Sequence, residues 1–244
     1  ARFLGYLISE GRLSRSNQTW FTNSDEAIIN DYISCAKEVF GLEPKVFQYK
    51  KATRDALIFS HALNQFLEKA FGLEIGSVSK EKRVPAQIFS ANSEIIISFL
   101  SSLFEGDGYV SVNRPGSGNY FEYATASKAL ANGVSSLLLQ LGVVSVIRPK
   151  RKAAINTMQK KKRMYYSVFV YGVENTGRLA ALLKFVGKKA KKLEEIKSLH
   201  FKSNPNLDLI PEVNLTFKEL VKLSGIKVKR LKKIAPRLVS YYED

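Results

Sequence analysis

Two stretches of nine residues decide the fold that this sequence predicts: FLGYLISEG at residues 3–11 and LSSLFEGDG at residues 100–108. Each is an apolar run of helical character that ends in an acidic residue followed by glycine. Small residues recur four positions apart in both runs, as Gly5 and Ser9 and as Ser102 and Gly106. Residues at that spacing share one helix face, and small side chains let two backbones approach closely. We therefore predict that the two helices pack side by side.

The sequence that follows each stretch also repeats. A polar, turn-rich segment (12–18; 111–119) leads to a strand-like run (19–22; 120–125) and then to an amphipathic helix that ends at Gly41 or Gly142. Two further strands (45–49 and 56–60; 143–147 and 164–171) and a last helix (62–70; 174–185) complete each copy. The predicted fold is therefore α+β, with two pseudo-symmetric αββαββα units. We place the repeats at residues 1–92 and 93–203, and a helical C-terminal segment at 204–244.

Composition indicates a nucleic-acid-binding protein. The chain has 38 Lys plus Arg against 22 Asp plus Glu, a formal net charge of +16, and so basic a protein is suited to a polyanion. No apolar run approaches the roughly 18 residues of a membrane span, and the first residues do not resemble a secretory signal. The single cysteine, Cys35, excludes an intramolecular disulfide and a cysteine-based zinc site. We expect a cytoplasmic, or at least intracellular, protein.

The paired acids, Glu10 and Asp107, predict a metal site. A helix C-terminus carries partial negative charge, so a carboxylate there is unfavourable unless a cation is held. If the two helices pack together, both carboxylates converge with the carbonyl oxygens at the helix ends to form a site of oxygen ligands. The carbonyls that we predict as ligands are those of Ser9 and Gly106. Such ligands suit magnesium. Metal ions held by acids on a basic surface suit in-line hydrolysis of a phosphodiester.

Both nine-residue stretches resemble the motif of the LAGLIDADG homing endonucleases, in the single-chain form with two repeats. The resemblance implies that the eighth motif position, Glu10 and Asp107, is the catalytic acid. It also implies a saddle of two four-stranded sheets on double-stranded DNA, cleavage across the minor groove and short 3′ overhangs. A monomer with two or more Mg²⁺ ions, replaceable by Mn²⁺, is expected. The sequence departs from the family in Ser101 and Ser102, which replace the usual small pair, and in Glu10, where aspartate is commoner.

A second resemblance concerns the lysines of the active sites. Residues 80–85, KEKRVP, resemble the basic, aliphatic and proline signature that precedes the second motif in intein-associated members. There a lysine lines the pocket of the catalytic water, and we assign that role to Lys82, with Arg83 as the competitor. The equivalent segment, residues 186–193, lacks the proline, so Lys188 and Lys189 both stay open. Glu105 is an alternative acid in the second copy, but the first copy has Ile8 at that position.

The DNA surface is predicted from basic and polar residues on and around the strands. Cations should contact phosphates and give affinity, whereas outward strand residues should read bases. The candidates are Arg12, Arg15, Asn17, Gln18, Gln48, Lys50, Lys51, Arg114, Asn119, Arg148, Lys150, Arg151, Lys152, Lys161, Arg163 and Tyr166. In the C-terminal segment, two short helices at helix-turn-helix spacing would add Lys229 and Arg230.

Two other functions remain open at this point. An RNA maturase, which assists intron splicing, is expected to share the fold and can keep both acids. A DNA-binding protein that does not cleave is the other. Self-splicing is not expected, because residue 1 is alanine and the chain ends in Tyr242-Glu243-Asp244.

Overall fold

The computed structural model describes residues 1–50, 53–76, 78–112, 118–153, 162–198, 219 and 221–225. The chain divides into two compact units, residues 1–204 and 205–244. Almost all of the second unit, including Lys229 and Arg230, lies outside the described residues, and so do Lys51, Arg114 and Lys161. The prediction of a helix-turn-helix segment therefore stays a prediction.

The first unit contains the predicted order of elements twice. The first copy consists of α1 Arg2–Glu10, β1 Gly11–Ser14, β2 Gln18–Asn23, α2 Glu26–Phe40, β3 Lys45–Lys50, β4 Thr53–Phe59 and α3 His61–Phe71. A short helix, α4 Ala86–Phe89, precedes the second copy. That copy consists of α5 Ser93–Asp107, β5 Gly108–Ser111, β6 Tyr120–Thr125, α6 Lys128–Gln140, β7 Val146–Ala153, β8 Lys162–Tyr171, α7 Val173–Leu182 and α8 Ala190–Ser198.

The strands form two antiparallel four-stranded sheets with the same topology, β1-β2-β4-β3 and β5-β6-β8-β7. Strand residues alternate between the two faces of a sheet. One face of each sheet carries buried residues of the core, such as Phe21 and Ile58 in the first sheet and Phe121 and Val168 in the second. The described helices of the first unit cover these faces, and we call the opposite faces outward. The prediction of an α+β fold with two equivalent units is confirmed.

Some strand boundaries differ from the prediction. β1 and the end of β5 lie where we predicted turn-rich sequence, and β7 begins at Val146 instead of residue 143 and extends to Ala153. The cause is pairing between strands: Gly11 pairs with Phe21, and Gly108 pairs with Tyr123. A polar edge strand of four residues has little pattern of its own, and its partner determines its conformation.

The two acid-glycine helices pack side by side, as the small residues predict. A Cβ atom built on Gly5 would overlap the Ser102 hydroxyl and the Phe99 carbonyl. A Cβ atom on Gly106 would overlap the Ser9 side chain. Each contact joins the same motif position of the two repeats, the third position in Gly5 and Ser102 and the seventh in Ser9 and Gly106, and each pairs a glycine of one helix with a serine of the other. Small side chains therefore fix the distance between α1 and α5.

The second helix of each copy begins at a side-chain cap. The Asp25 carboxylate accepts a hydrogen bond from the Ala27 amide (3.2 Å) at the start of α2, and the Ser127 hydroxyl accepts one from the Leu130 amide (3.1 Å) at the start of α6. α2 ends at Gly41 in a left-handed conformation with φ of 65°. Within the described part of the chain, no helix is both long enough and apolar enough to cross a membrane.

Candidate active site

The C-termini of the two packed helices bring the predicted acids to one place. Glu10 is the last residue of α1 and Asp107 is the last residue of α5. Both acids reach solvent although the surrounding protein covers part of each, and both line one open groove of about 1160 Å³. Lys82, Tyr123 and Arg163 also line this groove. The close packing of α1 on α5 is what places two carboxylates from distant parts of the chain at one surface.

Glu105, the alternative acid, has a different environment. Its side chain is buried, and it accepts hydrogen bonds from the backbone amides of Val186 (2.7 Å) and Gly187 (2.5 Å). The Arg2 guanidinium lies 3.6 Å from the same carboxylate and also pairs with Asp31. These contacts satisfy the buried charge and join α1, α2, α5 and the segment before α8. Glu105 is therefore a residue of the core rather than of the groove.

Lys82 lies at the C-terminal end of α1. Its Nζ atom donates hydrogen bonds to the carbonyl oxygens of Ile8 (2.8 Å), Ser9 (3.0 Å) and Gly11 (3.0 Å). The ammonium group satisfies carbonyls that have no partner within the helix, and it offsets the negative end of the helix dipole. Arg83, the competing residue, is exposed and lies 3.8 Å from Glu74. The structure thus places Lys82, and not Arg83, beside the acids.

Lys189 makes similar contacts at the end of α5, two of them at the positions that correspond to Ile8 and Ser9. Its Nζ atom donates to the carbonyl oxygens of Phe104 (3.1 Å), Glu105 (2.8 Å) and Gly106 (3.1 Å). Lys188 is exposed, and its backbone amide donates to the Asp25 carboxylate at 2.9 Å. Of the two lysines that the sequence left open, Lys189 is the one at the end of the acid helix.

The acids and the lysines perturb one another. Burial against the surrounding protein raises the pKa of Asp107 to about 7, and the nearby Glu10 carboxylate adds to the rise, while Lys82 and Lys189 oppose it. Burial also raises the pKa of Glu10, against the same two lysines. The pKa of each lysine is lowered by burial, and the acids oppose that shift. Proximity of two carboxylates makes their simultaneous ionisation unfavourable and favours the binding of a cation between them.

The donor set fits a hard divalent cation that keeps part of its water shell. Within the described residues, no three His, Cys, Asp or Glu side chains cluster as metal ligands. Magnesium commonly binds through one or two carboxylates, with water and substrate phosphates as its other ligands, and Glu10 and Asp107 satisfy that requirement. The carbonyl oxygens of Ser9 and Gly106, which we predicted as further ligands, are already occupied. Each accepts a hydrogen bond, from Lys82 and Lys189 respectively. A metal ion would share or displace those hydrogen bonds.

The outward face of the first sheet carries polar and aromatic side chains. Arg12 is exposed, and its guanidinium lies 4.5 Å from the centre of the Trp20 ring. The Trp20 indole donates to the Gln18 side chain at 2.9 Å, which fixes the orientation of that amide. Arg15 is exposed in the turn that follows β1, and Asn17 has a positive φ of 59° and contacts His61.

The outward face of the second sheet is rich in aromatic rings and cations. Four rings form one cluster, with the centroids of contacting rings 5.1 to 6.0 Å apart: Tyr109, Tyr120, Phe169 and Tyr171. Arg148 lies over Phe169 and Tyr171, and Lys150 lies 4.4 Å from the centre of the Phe169 ring. Lys150 also lies 3.4 Å from the Glu122 carboxylate. The rings thus hold both cations against the sheet face.

Strand register separates the other predicted DNA contacts. Arg163 of β8 pairs with Lys152 of β7, and strand alternation places both on the outward face with Arg148. The side chains of Lys152 and Lys50 lie outside the described residues. Gln48 pairs with Arg54 on the same face as Ala56, so our placement of Gln48 on the outward face was wrong. Alternation also places Arg151 with Met164 on the other face from Arg148. Asn119 precedes β6 and is half-buried.

Tyr166 also differs from the prediction of an outward residue. It pairs with Thr125 on the helix-covered face and packs against the core, although its side chain also lines the groove. Tyr165, one residue earlier, pairs with Lys150 on the outward face. A shift of one residue changes the face of a strand, and the sequence alone did not fix the register of β8.

Sequence reasoning missed Tyr123, which lines the groove beside both acids. The internal repeat contained the signal. Tyr123 pairs with Gly108 as Phe21 pairs with Gly11, so the two rings occupy equivalent positions, and only one of them carries a hydroxyl group.

Comparisons with known proteins agree with this geometry. A family model described as a LAGLIDADG-like domain matches residues 94–195. One subunit of the A-type ATP synthase of Pyrococcus abyssi is 30% identical over 179 residues, which are 73% of this chain and 16% of that protein. The small subunit of replication factor C of Methanocaldococcus jannaschii is 27% identical over 214 residues, 86% of this chain and 10% of that protein. The chain thus spans a sixth or less of the length of these relatives.

A solved structure shares the fold. I-DmoI in complex with DNA and Ca superposes with a TM-score of 0.51 at 15% sequence identity, over 80% of this chain and 95% of that chain. At that identity the similarity shows the arrangement of elements and not the chemistry.

Proposed function

Because this chain is a member of the LAGLIDADG family with both repeats in one polypeptide, we propose that it is a site-specific DNA endonuclease. In this proposal it makes double-strand breaks in a long duplex target by divalent-metal-dependent hydrolysis of phosphodiester bonds. The proposed parts are a first repeat at residues 1–92, a second repeat at 93–203 and a DNA-contacting helical segment at 204–244.

One observation carries the proposal: the two acids end a pair of closely packed helices and share a single groove, with a lysine at each helix end. Duplex cleavage needs two phosphodiester sites, one for each strand. Two equivalent acid-lysine pairs related by pseudo-twofold symmetry match two strands that are themselves related by a twofold axis. Since both pairs belong to one chain, the active unit is a monomer.

The residues divide the work as follows. Glu10 and Asp107 hold the divalent ions, with Mg²⁺ as the expected ion and Mn²⁺ as a substitute. A bound ion would supply activation of water and neutralisation of the charge that develops on the phosphate. Lys82 and Lys189 hold positive charge beside the scissile phosphates. Tight packing of α1 on α5 keeps the two acids at a fixed separation, which sets the spacing between the two cleaved bonds.

Target recognition is assigned to the two outward sheet faces. Arg12, Gln18 and Trp20 on the first face and Arg148 and Lys150 on the second present donors and cations next to aromatic rings. Cations that contact phosphate give affinity and strong salt dependence but little sequence information. Polar side chains on the same faces would read base edges.

The relatives support an origin as an inserted element. Related segments occur in one component of an ATP synthase and in one component of replication factor C, and they account for only 16% and 10% of those proteins. The names of these two proteins differ, and the matched segment is a small part of each. A segment that moves between genes explains the distribution, and we therefore infer that the chain resembles the endonuclease part of an intein.

A maturase is the second candidate, and the second sheet favours it. Tyr109 and Tyr171 are exposed on a face of four adjacent aromatic rings. Such faces stack on unpaired bases in many RNA-binding proteins. Structured intron RNA would then be the ligand.

Cleavage selection from a randomised duplex library with Mg²⁺ tests the proposal. We expect recovery of one long target sequence, cut on both strands, and no recovery with EDTA. Glu10→Gln is the matched control, because it keeps the shape of the side chain and removes its charge. Competition between the selected duplex and structured RNA separates the two candidates. Tighter binding to the RNA together with no cleavage of any duplex would favour the maturase.

A further inference from the structure

Tyr123 has a polar group for which the structure shows no use. Its side chain on β6 is fully buried, and its hydroxyl makes no hydrogen bond to the described residues. A buried hydroxyl without a partner destabilises the folded state, because it loses its water without replacement. A phenylalanine would fill the same space without that cost. The hydroxyl therefore calls for a function outside packing.

The position of Tyr123 places it next to one of the two acid-lysine pairs. We call Glu10 with Lys82 the first half-site and Asp107 with Lys189 the second half-site, and Tyr123 lies beside the second. Tyr123 pairs in register with Gly108, the residue that follows Asp107. The ring centre lies 5.5 Å from that of Phe104 on α5, and the side chain lines the same groove as Glu10 and Asp107. Burial raises the pKa of Tyr123 well above its ordinary value, and the two carboxylates add to the rise. The phenol thus stays protonated and can donate one hydrogen bond.

The first repeat shows that packing does not need the hydroxyl. Phe21 pairs with Gly11 as Tyr123 pairs with Gly108, and Phe21 is also fully buried. Its ring stacks on Tyr32 at 4.6 Å. The same position in the same fold is therefore filled by a ring without a polar atom, next to Glu10 instead of Asp107.

The other buried groups without a partner do not share this position. Among the described residues these are the hydroxyls of Tyr32 and Ser167. Tyr32 packs between the rings of Phe3 and Phe21 in the core of the first repeat, and neither Tyr32 nor Ser167 lines the groove. Tyr123 is thus the one of the three that lies beside the acids.

We propose that Tyr123 is a positioning residue of the second half-site alone, whose hydroxyl donates a hydrogen bond to the Asp107 carboxylate when a divalent cation is bound. The inference rests on the proposed endonuclease function and deepens it, since it makes the two half-sites unequal. An oriented carboxylate loses less freedom when it binds the cation. The half-site of Glu10 has no such donor at the equivalent position, so the two DNA strands are cut at different rates.

The test uses Tyr123→Phe in the full chain, and its first readout needs no cleavage. Without metal, we expect the midpoint of thermal unfolding to rise by about 2–4 °C, because the unpartnered hydroxyl is gone. Addition of Ca²⁺ should raise the midpoint of the wild type more than that of the variant. Tyr32→Phe is the matched control: it also removes a buried hydroxyl without a partner, but its response to Ca²⁺ should equal that of the wild type.

The second readout resolves the two strands. With a duplex labelled on each strand and Mg²⁺ present, Tyr123→Phe should slow cleavage of one strand by about tenfold, the effect of one hydrogen bond in the transition state, and leave the other unchanged. Equal slowing of both strands, or an unchanged response to Ca²⁺, would overturn the inference. If the wild type cleaves no duplex but the variant loses its Ca²⁺ response, the endonuclease proposal fails and the role of Tyr123 stands.

Discussion

The two repeats build the same arrangement of acid and lysine from different sequences. In the first repeat Glu10 ends a helix of nine residues, and Lys82 comes from a segment that contains Pro85. In the second repeat Asp107 ends a helix of 15 residues, and Lys189 comes from a lysine-rich segment without proline. Each lysine nevertheless donates to three carbonyls at the end of its own acid helix. The repeated feature is the C-terminal end of a helix, whose last carbonyls any suitably placed ammonium can contact.

The comparison also shows that neither half-site is built by one repeat. The segment that carries Lys82 packs on the second repeat, where Ser127 donates to the Lys82 carbonyl at 2.6 Å. The segment that carries Lys189 packs on the first repeat, through the hydrogen bond from the Lys188 amide to Asp25. Each repeat thus helps to fix the segment that carries the lysine of the other.

The largest effect that tests this equivalence is loss of the acids. We expect Glu10→Gln and Asp107→Asn each to abolish double-strand cleavage, since either one removes charge needed to hold the cation, and to leave duplex binding largely intact. Plasmid assays that separate supercoiled, nicked and linear forms measure the loss, with a gel-shift assay for binding. Full activity of either variant would show that the two acids are not equivalent parts of one site.

The second-largest loss of activity is expected from substitution of the two lysines. Lys82→Met and Lys189→Met should each lower the single-turnover rate by about 10²-fold, because each removes a fixed positive charge near the reacting phosphate. Equal losses of rate would show that Lys82 and Lys189 match in their contribution to catalysis as well as in their positions. Arg83→Met and Lys188→Met are the matched neighbours, and both residues are exposed. A larger loss from either neighbour than from its adjacent lysine would refute the assignment.

The same comparison explains how much of the molecule the sequence predicts. Helices with an acid and a glycine at the end, the seam of small residues and the α+β order follow from local periodicity, which is strong in α1 and α5. Whether Tyr165 or Tyr166 faces outward depends on the register of β8, and that register is set by pairing with β6 and β7. Likewise, only tertiary packing distinguishes Lys188 from Lys189, because adjacent residues of one chemical type carry no distinguishing pattern.

A smaller effect concerns the seam between α1 and α5. Gly5→Leu and Gly106→Leu should each cost about 1–3 kcal/mol of unfolding free energy, because a larger side chain would overlap Ser102 or Ser9 across the seam. Denaturant titration measures the cost. Gly177→Leu is the control, since a Cβ atom there meets no other atom within 4 Å. If either seam variant is as stable as Gly177→Leu, its contact does not fix the distance between the two helices.

The smallest expected effect is a dependence of stability on pH that involves Asp107. Its pKa of about 7 in the folded protein exceeds the ordinary value of 3.8. Between those two pH values the unfolded chain loses a proton that the folded protein keeps, so this group makes stability fall as pH rises from about 4 to 7. Without metal, Asp107→Asn should therefore unfold at a higher temperature than the wild type at pH 8, and the difference should disappear near pH 4.

A divalent cation should reverse this order, and the reversal links the pH effect to the site. At pH 8 the ionised Asp107 binds the cation, so Ca²⁺ should stabilise the wild type and have little effect on Asp107→Asn. At pH 5 protons compete for the same carboxylate, and the gain from Ca²⁺ should shrink. Glu10→Gln completes the comparison, because burial raises the pKa of Glu10 in the same direction. Thermal unfolding at the two pH values, with and without Ca²⁺, measures all three proteins. The opposite outcome is that Ca²⁺ stabilises Asp107→Asn as much as it stabilises the wild type. That result would show that the cation does not bind at Asp107 and that the two acids are not equivalent.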